Sequence, residues 1–267
     1  MRDETDYTRE LELVKDLARE AAELALKRSR SVTPVEKANN SYVTDLDNDL
    51  EKFIRARLGA AFPDDLLTGE EYAPEGGEGP RRWSIDPIDG TGNLVHGLPL
   101  WAVSIGLIEA DVPVLGVIAV PPLGELYWAV KGQGAFRDGE RLRVKDADAF
   151  HLQDNVCLGT NAMRKVDPRS MPGRLRDLGS ACCEQVFVAS GRLKASVFLG
   201  EQAHDVAAGV VIAGEAGCVF GTLEEGRLEA TDVVMRTPIA VPTFVAPPRL
   251  LDAMLKSARP YPAPKLS

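Results

Sequence analysis

A chain of 267 residues, 45% hydrophobic and 27% charged, has the composition of a globular protein with one large core or two modest ones. Its net charge of −9 argues against a nucleic-acid binder held by phosphate neutralisation, and an anionic substrate would need positive charge supplied at the site itself. Cys157, Cys182, Cys183 and Cys218 lack zinc-type CxxC spacing and read as buried free thiols in a reducing compartment. The start, Met1-Arg2-Asp3-Glu4-Thr5-Asp6, is too acidic for a signal peptide. No apolar run approaches the ~20 residues that span a bilayer, so a soluble cytoplasmic protein without membrane or nucleic-acid partners is expected.

Leu13, Leu17, Ala21 and Leu24 recur at helical spacing and predict an amphipathic helix from about Thr8 to Arg30. Ser31 to Val43 is polar, contains Pro34 and reads as a loop or irregular hairpin carrying Lys37. A second helix follows, with Leu46, Leu50, Phe53, Ile54, Leu58 and Ala61 on its inner side and Asp45, Asp47 and Asp49 at its start, where acids suit the helix dipole. Leu66-Leu67-Thr68 is a short strand leading into Gly69-Glu70-Glu71, and Pro74 to Pro80 is a glycine-rich loop. Ala102–Ile108, Val114–Val120, Glu125–Val130, Ala135-Phe136 and Arg141–Val144 predict an antiparallel meander, because the turns between them are short. The polar stretch Asp146–Asp154 marks a boundary between an N-terminal half, 1–148, and a C-terminal half, 149–267. The latter reads as a strand (Asn155–Thr160), a loop (Asn161–Pro172), a helix from Ser180 to Ser190, and a strand (Ala195–Leu199). A helix from Val206 to Ala216, a strand (Pro238–Val245), a helix (Arg249–Ala258) and a frayed proline-rich tail (Arg259–Ser267) complete it.

The stretch that carries chemistry is Trp83-Ser84-Ile85-Asp86-Pro87-Ile88-Asp89-Gly90-Thr91-Gly92-Asn93. It begins as a buried strand and breaks at proline, which has no N–H for a ladder and holds the preceding residue extended. Two carboxylates, a carbonyl between them and a glycine turn of bare N–H groups suit hard cations and a phosphate together. Taken singly, these pieces also read as an Asp-Pro turn and an Asp-Gly turn, Glu70-Glu71 as surface acids, and Asp205 as a helix cap.

As a set they resemble the inositol monophosphatase family. Glu70-Glu71 matches its Gly-Glu-Glu element, Trp83–Asn93 its Asp-Pro-Ile-Asp-Gly-Thr-x-Asn motif, and Asp205 to Gly217 its second motif, an Asp followed by small residues and closing in Glu-Ala-Gly. The resemblance runs from Leu11 to about Leu255. It implies layers of helices and sheets, α-β-α-β-α, with a largely antiparallel N-terminal sheet, a smaller C-terminal α/β half and the site where the halves meet. It implies a lithium-sensitive, homodimeric phosphatase acting on a small phosphorylated metabolite with two or three Mg²⁺. One ion would be held by Glu70, Asp86 and the Ile88 carbonyl, and a second by Asp86, Asp89 and Asp205. Gly90 and Thr91 N–H groups would bind phosphate, while Glu70 and Thr91, the latter paired with Asp47, would orient the attacking water.

Lys37, Ser180, Lys194, Phe198 and His204 are the substrate-side candidates. Lys37 matches a family lysine except for a one-residue difference in its spacing to Asp47. His204 stands where the family usually has Trp, and is expected to fill that aromatic place more readily than to ligate metal. Lys194 and Phe198 stand where inositol-phosphate hydrolases carry acids, which predicts a lost hydroxyl contact at Phe198 and an anionic group, or plain solvent, at Lys194. The expected substrate is then a polyol, cyclitol or sugar phosphate other than myo-inositol monophosphate. Histidinol-phosphate phosphatase and nucleotide 3′-phosphatase activities share the motifs, and a non-catalytic regulatory protein on the same fold is the reading from another class.

Overall fold

The computed structural model describes residues 6–37 and 42–261; the expected N-terminal acidic run through Thr5, the middle of the Lys37 loop and the last six residues of the tail lie outside them. Two helices, α1 (Thr8–Arg28) and α2 (Asp45–Ala61), flank a hairpin of β1 (Pro34–Glu36) and β2 (Tyr42–Thr44). Then come β3 (Leu66–Gly69), β4 (Glu75–Gly76), β5 (Arg81–Asp89), the short helix α3 (Thr91–Val95), and the meander β6 (Ala102–Glu109), β7 (Val112–Val120), β8 (Glu125–Val130), β9 (Gly134–Arg137) and β10 (Glu140–Leu142). The second half supplies β11 (Asn155–Leu158), α4 (Thr160–Met163), β12 (Arg174–Arg176), α5 (Ala181–Ala189), β13 (Ala195–Phe198) and α6 (Ala203–Glu215). It closes with β14 (Val219–Thr222), β15 (Gly226–Leu228), α7 (Ala230–Met235), β16 (Thr243–Ala246) and α8 (Pro248–Ser257).

Strands β3 to β10 form one eight-stranded sheet in the order β10-β9-β8-β7-β6-β5-β3-β4, antiparallel except where β3 runs parallel to β5. The second sheet has six strands, β12-β11-β13-β16-β14-β15, mixed in direction. Helices α1 and α2 bury Val14, Leu17, Leu50 and Ile54 with Trp83, Ile105 and Leu115 on one face of the first sheet. On its other face, α5 and α6 join Ile118, Tyr127, Val186 and Val210 in a core shared with Phe198 and Val245 of the second sheet. Outside that sheet, Leu250, Leu251 and Met254 of α8 pack on Val156, Val197 and Phe244. The layering is α-β-α-β-α, as expected.

The small residues after Asp205 make the middle layer thin enough to fit. A Cβ on Gly116 of β7 would lie 2.3 Å from the Ala208 carbonyl oxygen, and one on Gly209 would lie 2.3 Å from Gln185 Oε1 of α5. Glycine at 116 lets the β7 and α6 backbones approach that closely, and glycine at 209 leaves room for the Gln185 side chain. The close packing sets the start of α6, and with it Asp205, against the end of β5.

Several expected boundaries shift. The strand read over Pro238–Val245 occupies Thr243–Ala246, and of the loop or irregular hairpin read over Ser31–Val43 the described residues form the hairpin strands β1 and the first part of β2. Strands β12, β14 and β15 and helices α3, α4 and α7 are short elements that periodicity did not separate from loop.

Candidate active site

Strand β5 is buried without interruption from Trp83 to Asp89, so its carboxylates are carried into the interior rather than alternating out to solvent. Its pairing with β6 runs in register to Asp86 opposite Ser104 and slips before Asp89 opposite Ala102. Pro87 lies inside that irregularity, where a missing N–H is tolerated. The bulge turns Asp86 and Asp89 into one cavity. Gly90 follows with φ of +87° and opens α3; a Cβ there would meet the Leu100 carbonyl at 3.0 Å and Ser180 Cβ at 3.1 Å.

The cavity, of about 380 Å³, is lined by Tyr42, Glu70, Asp86, Ile88, Asp89, Gly90, Thr91, Gly92 and Asp205. Asp86 is 1% exposed, and neither of its carboxylate oxygens has a hydrogen-bond partner. Burial, then the charges of Glu70, Asp89, Asp205 and Asp47, hold its carboxyl well above the usual range. Asp89 is pushed up to about 7 by burial and by Asp205, against the opposing hydrogen bonds it accepts. Those come from the start of α5: Cys182 N–H donates at 2.9 Å, Ala181 N–H at 3.2 Å, and the Ser180 hydroxyl makes a short contact. Ser180 also accepts from Cys183 N–H as the cap of α5, so its hydroxyl ties the start of that helix to an acid of the centre.

Asp47 is fully buried and has two tasks. One oxygen accepts from Thr44 N–H at 2.9 Å in the capping box of α2; the other accepts from the Thr91 hydroxyl at 2.9 Å. Burial raises its pKa, with the hydrogen bonds of Thr44 and Thr91 opposing the shift. The Thr91 oxygen lies at the same distance from the Ile88 carbonyl. Asp205 accepts from Gln202 N–H at 2.6 Å in the capping box of α6.

Lys37 reaches Glu70 at 2.9 Å and Glu71 at 2.7 Å, which brings it to the centre's edge; burial disfavours its charge, but the two hydrogen bonds outweigh this and raise its pKa. Burial raises Glu71 in turn, with Lys37 opposing. The Gly69-Glu70-Glu71 turn is held from behind by a buried pair, Glu51 and Arg55, that sequence reading missed. Glu51 accepts from Glu71 N–H at 2.7 Å and from Arg55 Nε at 2.7 Å, and a Cβ on Gly69 would fall 2.2 Å from its oxygen.

Of the substrate-side candidates, Phe198 is placed away from the site, and Lys194 takes the solvent alternative rather than the anionic one. Phe198 is 1% exposed within the middle core and does not line the site: β13 presents it to α5 and α6, and the chain reaches the centre only after the strand ends. Lys194 lies before the opposite end of β13, its N–H on the Asn155 carbonyl, remote from the Leu199-Gly200-Glu201 segment that does reach it. A second cavity, of about 670 Å³, adjoins the first through Asp89 and Asp205 and is lined by Thr160, Asn161, Asp177, Glu184, Leu199 and Glu201 among others. Burial pushes Glu184 up to about 7, although its side chain bonds the Ser196 hydroxyl at 2.6 Å. Burial likewise pushes Glu201 up to about 8, with one oxygen lacking a partner. No Lys, Arg or His lines this cavity among the described residues. Glu201 stands four residues before Asp205, and that spacing was the available signal.

His204 belongs to the centre. One of its ring nitrogens and an oxygen each of Glu70 and Asp86 lie within 4.8 Å of one another, and the same holds for Asp86, Asp89 and the Cys182 sulfur. The donor set fits divalent cations: buried acids crowd one another, and the Asp86 oxygens have no donor of their own.

The inositol monophosphatase family model matches residues 6–261. The chain is 30% identical to the fructose-1,6-bisphosphatase/inositol-1-monophosphatase of Aquifex aeolicus over 85% of each chain, and 38% identical to the histidinol-phosphatase of Chlorobaculum parvum over 80% of this chain and 86% of that one. The Thermotoga maritima IMPase structure superposes with a TM-score of 0.82 at 28% identity, covering 93% of this chain and 96% of that one. Fold and relatives together define the class as a phosphoric monoester hydrolase. The chain belongs to the inositol monophosphatase family.

Proposed function

We propose that the protein is a Mg²⁺-dependent phosphomonoesterase that hydrolyses a small polyol, cyclitol or sugar phosphate, with water as the nucleophile. The observation that carries this reading is the buried Asp86 carboxylate, unpartnered and facing Glu70, Asp89 and Asp205. In this assignment Glu70, Asp86 and the Ile88 carbonyl hold one Mg²⁺, and Asp86, Asp89 and Asp205 a second. Bound Mg²⁺ supplies neutralisation of phosphoryl charge and acidifies water. The N–H groups of Gly90 and Thr91 bind phosphate oxygens at a glycine turn. Thr91 gives its single hydroxyl proton to Asp47, which leaves the oxygen's lone pair to receive a proton from the attacking water. Glu70 orients that water from the other side.

The adjoining acidic cavity favours a second reading of the substrate: an amino-alcohol phosphate such as histidinol phosphate. Asp177, Glu184 and Glu201 accept hydrogen bonds from hydroxyls or from an ammonium group, and no basic side chain among the described residues offsets them. The same cavity offers a second phosphate no basic side chain among the described residues, which weighs against bisphosphates and nucleotide 3′-phosphates. The test is phosphate release from polyol, sugar, amino-alcohol and nucleotide monophosphates, with Mg²⁺ and with EDTA, alongside Asp89→Asn. Release that needs Mg²⁺ and is lost in the variant is expected, and release that persists in EDTA would overturn the assignment. Preference for an amino-alcohol ester that collapses in Glu201→Gln would select the second reading.

A further inference from the structure

His204 occupies the first turn of α6 with its side chain 17% exposed, and its Nε2 lies 3.5 Å from Asp205 Oδ1. Among the described residues no ring contact involves His204. One of its ring nitrogens shares a 4.8 Å locus with carboxylate oxygens of Glu70 and Asp86. Donors around one ion at about 2.1 Å stand roughly 3–3.5 Å apart, which small side-chain rotations reach from there. The second, independent observation is Asp86, buried, aimed into the locus and satisfied by no protein group.

Two carboxylates and an imidazole are not the donor set that hard Mg²⁺ selects. Imidazole suits zinc, cobalt, nickel and copper, and affinity along the first-row series rises well above that of the alkaline earths. We propose that a first-row transition ion of the zinc class binds at Glu70, Asp86 and His204, in competition with Mg²⁺. The inference shares Glu70 and Asp86 with the Mg²⁺ assignment above and rests on that reading only there. Cys182 borders Asp86 from the other side, but its thiol is fully buried and faces the Asp205 carbonyl at 3.4 Å. The proposal leaves the sulfur uncoordinated.

The experiment titrates metal-free protein with Co²⁺, a spectroscopically visible stand-in for zinc, and separately with Mg²⁺, in the absence of any phosphate ester. In His204→Phe the Co²⁺ affinity should fall at least about tenfold, the scale on which even outer-shell partners of a metal act. Mg²⁺ affinity should change far less. The chain has three histidines, so a hyperfine-shifted ring proton of His204 in the cobalt-loaded native protein gives a readout independent of whether the variant folds. Equal weakening of both ions, unchanged Co²⁺ affinity, or absence of the shifted His204 proton would overturn the proposal. So would a thiolate-to-cobalt band that vanishes in Cys182→Ser, because the ion would then sit on the sulfur side. Failure of the phosphatase reading is seen separately, as no ester hydrolysis with Mg²⁺, and leaves this result standing.

Discussion

The Thr91 hydroxyl donates to Asp47 Oδ1 at 2.9 Å, joining the glycine turn after β5 to the capping box of α2 across 44 positions of sequence. One oxygen of Asp47 secures a helix start while the other sets the direction of the Thr91 proton. That division of labour predicts separable effects. Thr91→Val should lower kcat by about 10²–10⁴-fold, the range of a positioned proton acceptor, with little change in KM, and Thr91→Ser should restore most of it. Asp47→Ala should lose activity and in addition roughly 1 kcal/mol of stability from the missing cap contact, read as a shift in the urea midpoint. Equal stability loss in Thr91→Val would contradict the separation.

Metal-free protein should lose stability as pH rises from about 4 to about 8. Burial holds Asp89 and Glu184 near 7 and Glu201 near 8, so in this window the folded chain keeps protons that the unfolded chain, with ordinary carboxylate values, has released. Folding is favoured below the unfolded values and that advantage disappears as the folded groups ionise. The thermal midpoint in EDTA is the measurement: it should fall with pH, Glu184→Gln should flatten the slope, and Mg²⁺ should rescue stability most at the alkaline end. A midpoint that climbs steadily from pH 4 to 8 would refute this.

Gly116→Ala should cost about 1–3 kcal/mol, because its Cβ would press on the Ala208 backbone, which has no flexible end to move aside. The strain would displace α6, so the Mg²⁺ concentration for half-maximal activity should rise as well. Gly214→Ala, on the same helix with nothing within 4 Å of its Cβ, should be neutral or stabilise by about 0.5–1 kcal/mol. Urea denaturation of the two variants side by side decides the point.

Phe198→Ala should remove about 3–5 kcal/mol of stability through a core cavity while leaving KM near the native value. Glu201→Gln should show the reverse pattern, a moved KM with a small stability change. Steady-state kinetics paired with unfolding curves would expose the opposite assignment at once.

Much of the site was legible in the linear chain because its devices are local. Asp86-Pro87-Ile88-Asp89 places two acids by one missing N–H and one bulge, the acids at the start of α2 suit its dipole, and Gly90 opens a turn directly after β5; the Thr44–Asp47 capping box came only with the structure. The two long helices α1 and α2 and the meander strands through Val130 followed from hydrophobic period, whereas the short elements β4 and α3 did not. Reading Phe198 as a substrate residue failed because β13 is only four residues long: which side chain faces a core and which follows the strand end depends on register, and register is decided by β11 and β16. The approach of Cys182 and His204 to Asp86 was likewise beyond sequence spacing. It exists because the starts of α5 and α6 converge on the end of β5, a meeting that Gly116 allows by close backbone approach to Ala208 and Gly209 by admitting the Gln185 side chain. The residue types that make a phosphate-handling centre were therefore set by the sequence itself, while tertiary packing decided which neighbours join them, because those neighbours come from elements with no local reason to meet.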